Sequence, residues 1–328
     1  MKKIMNKPEN IVSEMLVGME VSNADIEYIP GYEIVIRRSP NKNKVALISG
    51  GGSGHEPAHA GYVGKGMLDA AAAGNVFASP SPDRILEAIH RVGSDRGILL
   101  IVKNYSGDIM NFDMAAELAE MEGFKVKTVV MRDDVAVPDS TYSTGRRGIA
   151  GTVFIHKIAG AAAEEGQSLE SVFKLAQKVA DNTRSMGMAM SPCIIPGVGK
   201  PGFSLAENEI EIGMGIHGEP GVERICTKTS REIAEILCSH LLNDMDFNDS
   251  ECAVIVNGLG GTPLMELYVF ASDVNIKLKA NGVTPVRWYV GNYMTSLEMK
   301  GCSVSLLRLD EEMKRYLDAP ARTAAWRE

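Results

Sequence analysis

Two spacings of apolar residues alternate along the 328-residue chain. Ile11, Met15, Leu16 and Met19 fall at helical spacing behind Pro8, a residue suited to a first helical turn, and predict a helix from about Pro8 to Val21. Ile34-Val35-Ile36 reads as a strand. So does Val45-Ala46-Leu47-Ile48-Ser49, which empties into the turn Gly50-Gly51-Gly52-Ser53-Gly54-His55-Glu56-Pro57. Residues 55–63 predict the start of a helix. The run 68–74 is ambiguous, because alanine favours helix while Gly66 and Gly74 cut it short. Ser79-Pro80-Ser81-Pro82-Asp83 is a helix start, and Ile85, Leu86, Ile89 and Val92 give that helix its apolar face. Gly97 to Val102 is apolar after its glycine, as expected of a parallel strand buried on both faces. A helix to about Met121 and a strand from Val126 to Met131 complete an alternation that argues for a parallel sheet.

Residues 133–148, with Pro138 and the pair Arg146-Arg147, predict a long functional or interfacial loop. Two helices are predicted over about 150–165 and 169–186. Pro192, Pro196 and Pro201 oppose helix over 186–202, and the domain boundary is placed there, dividing 1–186 from 187–328. The alternation resumes with a strand over 207–215, a helix over 230–241 and a buried strand over 253–256. A helix from Leu264, strands near 286–290 and 303–307 and a short last helix close it. The expected fold class is α/β: two α/β domains, each a mostly parallel or mixed sheet flanked by helices. The chain is long enough for two such cores.

A net charge of −8 and the lack of a basic stripe argue against a nucleic-acid surface. Residues 1–8 lack the apolar core of a signal peptide, and no apolar run reaches membrane-spanning length, so a cytoplasmic protein away from membranes is expected. Cys193, Cys226, Cys238, Cys252 and Cys302 are odd in number and widely spaced. They read as reduced, buried small hydrophobes, not as a disulfide frame or zinc site.

The glycine-rich turn is not a standard nucleotide loop. A dinucleotide fingerprint counted from Gly50 needs glycine where His55 stands, and a phosphate-binding loop needs Gly-Lys at 55–56. Its glycines instead leave backbone N–H groups open to a ligand at the carboxyl end of a strand. Of the six histidines, His90, His156 and His240 lie in helical patterns and read as surface or satisfied residues. His59 follows His55 by one turn, a spacing that puts two imidazoles on one helix face, but no motif supplies a third metal ligand. His55 and His217 differ, since each is flanked by glycine at a strand-to-loop junction. Asp108, after Ser106-Gly107, reads equally as a helix cap and as a catalytic base. Lys103 ends the same apolar strand. His55, Lys103, Asp108 and His217 thus all stand at strand ends, a pattern fitting an enzyme for a small polar substrate that uses a histidine as nucleophile or base.

Gly50 to His59, Lys103 to Asp108, Gly145-Arg146-Arg147-Gly148, Val153 to Ala163, Gly213 to Gly221, Asn257 to Gly261 and Met294-Thr295-Ser296-Leu297 together resemble the substrate-binding K subunit of the dihydroxyacetone kinase family, in order and over essentially the whole chain. The resemblance implies that His217 attacks the ketone carbon of dihydroxyacetone through Nε2, giving a covalent hemiaminal. It implies that Asp108 is the general base on the hydroxyl that accepts phosphate, and that His55 hydrogen-bonds the substrate and assists. Gly52, Ser53, Gly54 and Lys103 complete the implied pocket. It further implies a homodimer that binds no cofactor itself. A separate all-helical L subunit would hold ADP with magnesium and be recharged by a phosphoprotein. Two alternatives stand beside this: a dihydroxyacetone-binding transcriptional co-activator, and the K part of an ATP-dependent kinase split over two chains.

Overall fold

The computed structural model describes residues 2–138 and 145–327. In chain order the elements are α1 (Ile11–Ser22), β1 (Ile26–Ile29), β2 (Ile34–Arg37), β3 (Ala46–Ser53), β4 (Ala70–Val76), α2 (Pro82–Val92), β5 (Ile98–Lys103), α3 (Ser106–Met121) and β6 (Val126–Met131). Then come α4 (Thr152–Glu164), α5 (Leu169–Asp181), β7 (Thr183–Ala189), β8 (Glu209–Ile212), β9 (Glu223–Cys226) and α6 (Ser230–Asp244). The chain continues through β10 (Glu251–Gly258), α7 (Leu264–Ala280), β11 (Thr284–Gly291), β12 (Gly301–Arg308) and α8 (Glu311–Leu317). The strands make two six-stranded sheets, ordered β1-β2-β4-β3-β5-β6 and β11-β10-β12-β7-β8-β9. In the first, β4, β3, β5 and β6 run parallel, with β2 antiparallel to both β4 and β1 at one side. In the second, β10 and β11 pair in parallel and every other pair is antiparallel.

The chain divides into two compact units. The first comprises Met1–Met131, Val153–Ala180 and Glu312–Glu328; the second comprises Arg132–Thr152 and Asp181–Glu311. A single cut after residue 186 therefore differs from the observed division at both ends. Residues 132–152 stay with the second unit because the Ser185 N–H donates to the Asp133 carbonyl, the Val135 N–H donates to the Ser185 carbonyl, and Arg146 grips Asp244 through two nitrogens. The last residues belong to the first unit, where the buried Lys157 ammonium donates to the Tyr316 and Ala319 carbonyls. The predicted loop over 133–148 is described only at 133–138 and 145–148; its middle lies outside the described residues.

In the first unit α2 and α3 cover one face of the sheet, burying Ile85, Ala88, Ile89, Val92, Phe112, Ala115 and Ala119 against Ile48, Leu100 and Val102. All six residues of β5 are buried, as an apolar run flanked by strands on both sides requires. The second unit has its own core, with Leu237, Cys238 and Leu241 of α6 and Val274 and Leu278 of α7 packed on Val254, Val256, Val304 and Leu306.

Several local expectations are corrected. Gly50, Gly51 and Gly52 are the last part of β3, paired in parallel with β4, and not a turn. Residues 55–63 form turns ending in the 3-10 turn Ala60–Tyr62, so His55 and His59 share no helix face. The alanine-rich 68–74 run is strand β4, where ladders on both sides override a helix preference worth tenths of a kcal/mol per residue. α5 stops at Asp181, and Thr183–Ala189 is strand β7, held between β12 and β8 with Ser185 Oγ hydrogen-bonded to Ser305 Oγ. The short strands β1 and β9 had no pattern to announce them. Four cysteines are buried as expected, but Cys226, at the end of the edge strand β9, is exposed. Among the described residues no helix is long and apolar enough to cross a membrane.

Candidate active site

In the first unit the predicted residues gather at the carboxyl ends of β3 and β5. Lys103 is the last residue of β5, and α3 begins three residues later at Ser106; Tyr105, not Asp108, is its N-cap. Asp108 is the third residue of α3, so its carboxylate stands at the positive end of the helix dipole. Lys103 Nζ and Asp108 Oδ2 form an ion pair at 3.2 Å, with side chains 1% and 4% exposed. Such burial makes the pair costly to break, since removing one partner leaves a charge unsolvated. Asp108 Oδ1 is also buried and has no hydrogen-bond partner, an acceptor held ready for a donor from elsewhere.

The β3 glycines admit these groups. A Cβ on Gly51 would run into Lys103 Nζ and lie 3.6 Å from both Asp108 Oδ2 and His59 Nε2. A Cβ on Gly52 would meet the backbone of Phe77 and Ala78 at 2.9 and 2.7 Å. Ser53 Oγ donates to the Gly74 carbonyl at 2.7 Å, fixing the end of β3 to β4. Gly54 takes the positive φ of 102° that the next turn needs, and its N–H donates to both oxygens of Glu56 at 3.0 and 3.2 Å. His55 is buried and stacked on Phe77, their ring centroids 5.1 Å apart. The structure therefore brings Gly52, Ser53, Gly54 and His55 onto one segment, and joins Lys103 to Asp108.

His217 is in the second unit, in the turn that follows β8. Its ring Nδ1 is 2.9 Å from Glu219 Oε1, and its backbone N–H donates to Glu219 Oε2 at 2.9 Å. Burial opposes ionisation of Glu219, but the bond to His217 and the nearby Arg147 guanidinium win and hold its carboxyl down at about 2. A carboxylate only accepts, so Nδ1 of His217 carries the proton facing it and the lone pair of the neutral ring is on Nε2. Arg147 is itself fixed, donating to Asp134 and to the Gly213 carbonyl, both at 2.8 Å. A Cβ at Gly215 would collide with Glu219 and come within 2.5 Å of Arg147 Nη1, so glycine there is what lets these groups close on the turn. Sequence reasoning passed over Glu219. Its signal was its place two residues after a glycine-flanked histidine, the reach needed for a side chain to close on its own turn.

Among the described residues no group of three His, Cys, Asp or Glu is placed to hold a metal ion. The Cys238, Cys252 and Cys302 thiols are pushed up to about 12 by burial, which removes them as nucleophiles near neutral pH.

A family model described as the Dak1 domain matches residues 17–325. The chain is 50% identical over 329 residues to the PTS-dependent dihydroxyacetone kinase 1, dihydroxyacetone-binding subunit DhaK of Listeria innocua, covering 99% of this chain and 100% of that one. The C. freundii dihydroxyacetone kinase in complex with AMP-PNP and Mg2+ superposes with a TM-score of 0.93 at 39% identity, covering 99% of this chain and 61% of that one. The dihydroxyacetone kinase operon co-activator DhaQ superposes with a TM-score of 0.92 at 39% identity, covering 96% of this chain and 98% of that one.

Proposed function

The chain belongs to the Dak1 domain family, and from that premise we propose that it is the dihydroxyacetone-binding subunit of a phosphotransferase-dependent dihydroxyacetone kinase. The observation that carries the chemistry is the grip of Glu219 on His217 Nδ1. The Nε2 lone pair so fixed adds to the ketone carbon of dihydroxyacetone; the carbonyl π electrons move to oxygen, which takes a proton from water, and the hemiaminal ring, still protonated on Nδ1, is a cation facing the Glu219 carboxylate. No leaving group departs, so the bond is reversible. Glycerol has no carbonyl to add to, so the adduct separates the two more sharply than hydrogen bonds to hydroxyls do.

Asp108 is the general base that removes the proton of the terminal hydroxyl as its oxygen accepts phosphate, and the unpartnered Oδ1 is the atom suited to this. His55 hydrogen-bonds the substrate and assists the transfer. The backbone of Gly52, Ser53 and Gly54, with the Lys103 ammonium, completes the contacts. The phosphoryl group comes from a separate L subunit carrying ADP with magnesium and recharged by a phosphoprotein, and the working form of this chain is a homodimer.

Intact mass of the purified chain with dihydroxyacetone tests the nucleophile. We expect a substrate-sized adduct that His217→Ala abolishes; its persistence would remove His217 from this role. The close superposition on DhaQ favours a second reading, a co-activator that binds the same ketone without turning it over. Reconstitution with the L subunit and the phosphoprotein donor separates the two. Phosphate transfer lost in Asp108→Asn supports the enzyme, and binding without transfer supports the co-activator. Turnover with ATP replacing the phosphoprotein would instead identify an ATP-dependent split kinase.

A further inference from the structure

Two buried histidines of the first unit lie outside the roles assigned above. His59 is 6% exposed and His156 is fully buried. Their rings meet edge to face with centroids 5.1 Å apart, and His59 Nδ1 stands 2.9 Å from His156 Nε2. Burial first, and then the Lys103 ammonium, hold His59 well below its ordinary pKa and push His156 down to about 3. Both rings are therefore neutral at physiological pH, and each has one N–H to place.

Ser49 decides where His59 keeps its proton. The Ser49 hydroxyl donates to the Ile101 carbonyl at 2.7 Å, so its oxygen, 3.3 Å from His59 Nδ1, can only accept. A proton on Nδ1 faces Ser49 Oγ, and also His156 Nε2 when His156 carries its own proton on Nδ1, an atom that is buried and has no hydrogen-bond partner. The other tautomer sets the Nδ1 lone pair against that of Ser49. The His59 lone pair is thus on Nε2, which is buried and has no hydrogen-bond partner. This atom borders the Gly51 gap that Asp108 Oδ2 and Lys103 Nζ also border. The Lys103 ammonium has three N–H groups, and among the described residues the hydrogen bond it makes is to Asp108 Oδ2. A buried acceptor without a donor and a buried cation with N–H groups to give meet at one glycine.

We propose that His59, clamped by Ser49 and His156, is a positioning residue for the Lys103–Asp108 pair: its Nε2 accepts a hydrogen from the Lys103 ammonium across the Gly51 gap. The pinned ammonium holds Asp108 Oδ2 and leaves Oδ1 as the open lone pair of the base. An imidazole suits this better than a carboxylate, because it fixes the cation without cancelling its charge. His156 keeps the imidazole in the tautomer that the job needs.

Nitrogen-15 histidine NMR on the unliganded chain tests the geometry apart from any function, with the His59 signals assigned by their loss in His59→Gln. We expect Nδ1 protonated and Nε2 bare; a proton on Nε2 overturns the proposal. The kinetic arm rests on the dihydroxyacetone reading and uses the complex reconstituted with the L subunit and phosphoryl donor. His59→Leu should lower kcat roughly ten- to a hundredfold, the worth of one hydrogen bond to a charged group. Its dissociation constant for dihydroxyacetone should stay within about threefold of the original, since the covalent hold on His217 is untouched. His59→Gln, whose amide oxygen can stand in for the Nε2 lone pair, should recover most of the loss. An unchanged kcat in His59→Leu, or a folded His59→Gln as impaired as His59→Leu, overturns the positioning role. If the original chain neither binds dihydroxyacetone nor supports transfer, the functional reading fails, and the tautomer alone then decides the placement of His59.

Discussion

Glu219 stands to His217 as the carboxylate of a hydrolytic triad stands to its histidine: it accepts the Nδ1 proton and leaves Nε2 to react. Glu219→Gln keeps the shape and removes the charge, and an amide can also turn its N–H toward the ring. We expect dihydroxyacetone affinity to fall roughly tenfold, the scale of a charge-assisted hydrogen bond exchanged for a neutral one. Stability should change little, since the side chain is 31% exposed. Calorimetric titration alongside thermal melting checks both, and an undiminished affinity would show that the carboxylate does not set the tautomer. With its carboxyl held at about 2, Glu219 is not what titrates if binding varies between neutral and mildly acid pH. At this scale the strand-end residues were legible, because glycine beside a histidine and a polar residue closing an apolar run are local signals. His55 and His217 each have a glutamate close behind, but the two differ in use: Glu56 accepts from the Gly54 N–H, while Glu219 accepts from its histidine. The meeting of His59 with His156 spans 97 positions and has no local signal at all.

Strand β3 carries three consecutive glycines with three different neighbours, and the difference is testable. Gly52 faces backbone at 2.7 to 2.9 Å, which cannot move aside, whereas Gly51 faces the end of a lysine side chain. Gly52→Ala should therefore destabilise the protein by about 1–3 kcal/mol, the usual cost of overpacking. Gly51→Ala, at a φ of 158° that strains a side chain, should also cost stability, and should in addition displace the Lys103 ammonium and impair phosphate transfer. Denaturant midpoints compared with reconstituted turnover check both, and an unchanged Gly52→Ala midpoint or an unchanged Gly51→Ala turnover would contradict the crowding described. Elements with a strong pattern of their own, such as β5, apolar up to Lys103, and the amphipathic α2, were legible. β4 and β7 were not, since their alanine, glycine, serine and methionine residues carry no strand pattern of their own. Ladders on both sides decide them, and ladders are made by distant residues.

Taken whole, the molecule holds buried titratable groups of opposite kinds in its two units. His59 and His156 of the first are held neutral below their ordinary pKa, so between about pH 6.5 and the folded values the unfolded chain binds protons that the folded one refuses. Their contribution is intact above 6.5 and falls below it by up to about 1.4 kcal/mol per pH unit for each group. Glu56, raised by burial, acts in the opposite sense. In the second unit burial, outweighing Arg147, raises Asp134 to about 6, and burial raises Asp133 as well. Folded aspartates of this kind take up protons before the unfolded chain does, so their contribution grows as pH falls from about 6 toward 3.8. Amide exchange at pH 7 and pH 5, corrected for its intrinsic pH dependence, should show opening made easier in the first unit and not in the second. Equal acid loss in both would refute the assignment. Two α/β units were legible from the alternation of helices and strands, but their discontinuity was not, because no local signal marks which unit residues 132–152 and the last helix join.

That discontinuity bears on how the protein is made. The Lys157 ammonium is buried in the middle of α4, and the carbonyls of Tyr316 and Ala319 that receive its hydrogens come from the last stretch of the chain. During synthesis, which proceeds at roughly 5–20 residues per second, the first unit has all six of its strands long before it has these acceptors. A ribosome-bound chain therefore carries a first unit that still lacks these two acceptors while residues 181–311 of the second unit emerge. The domain begun first is finished last.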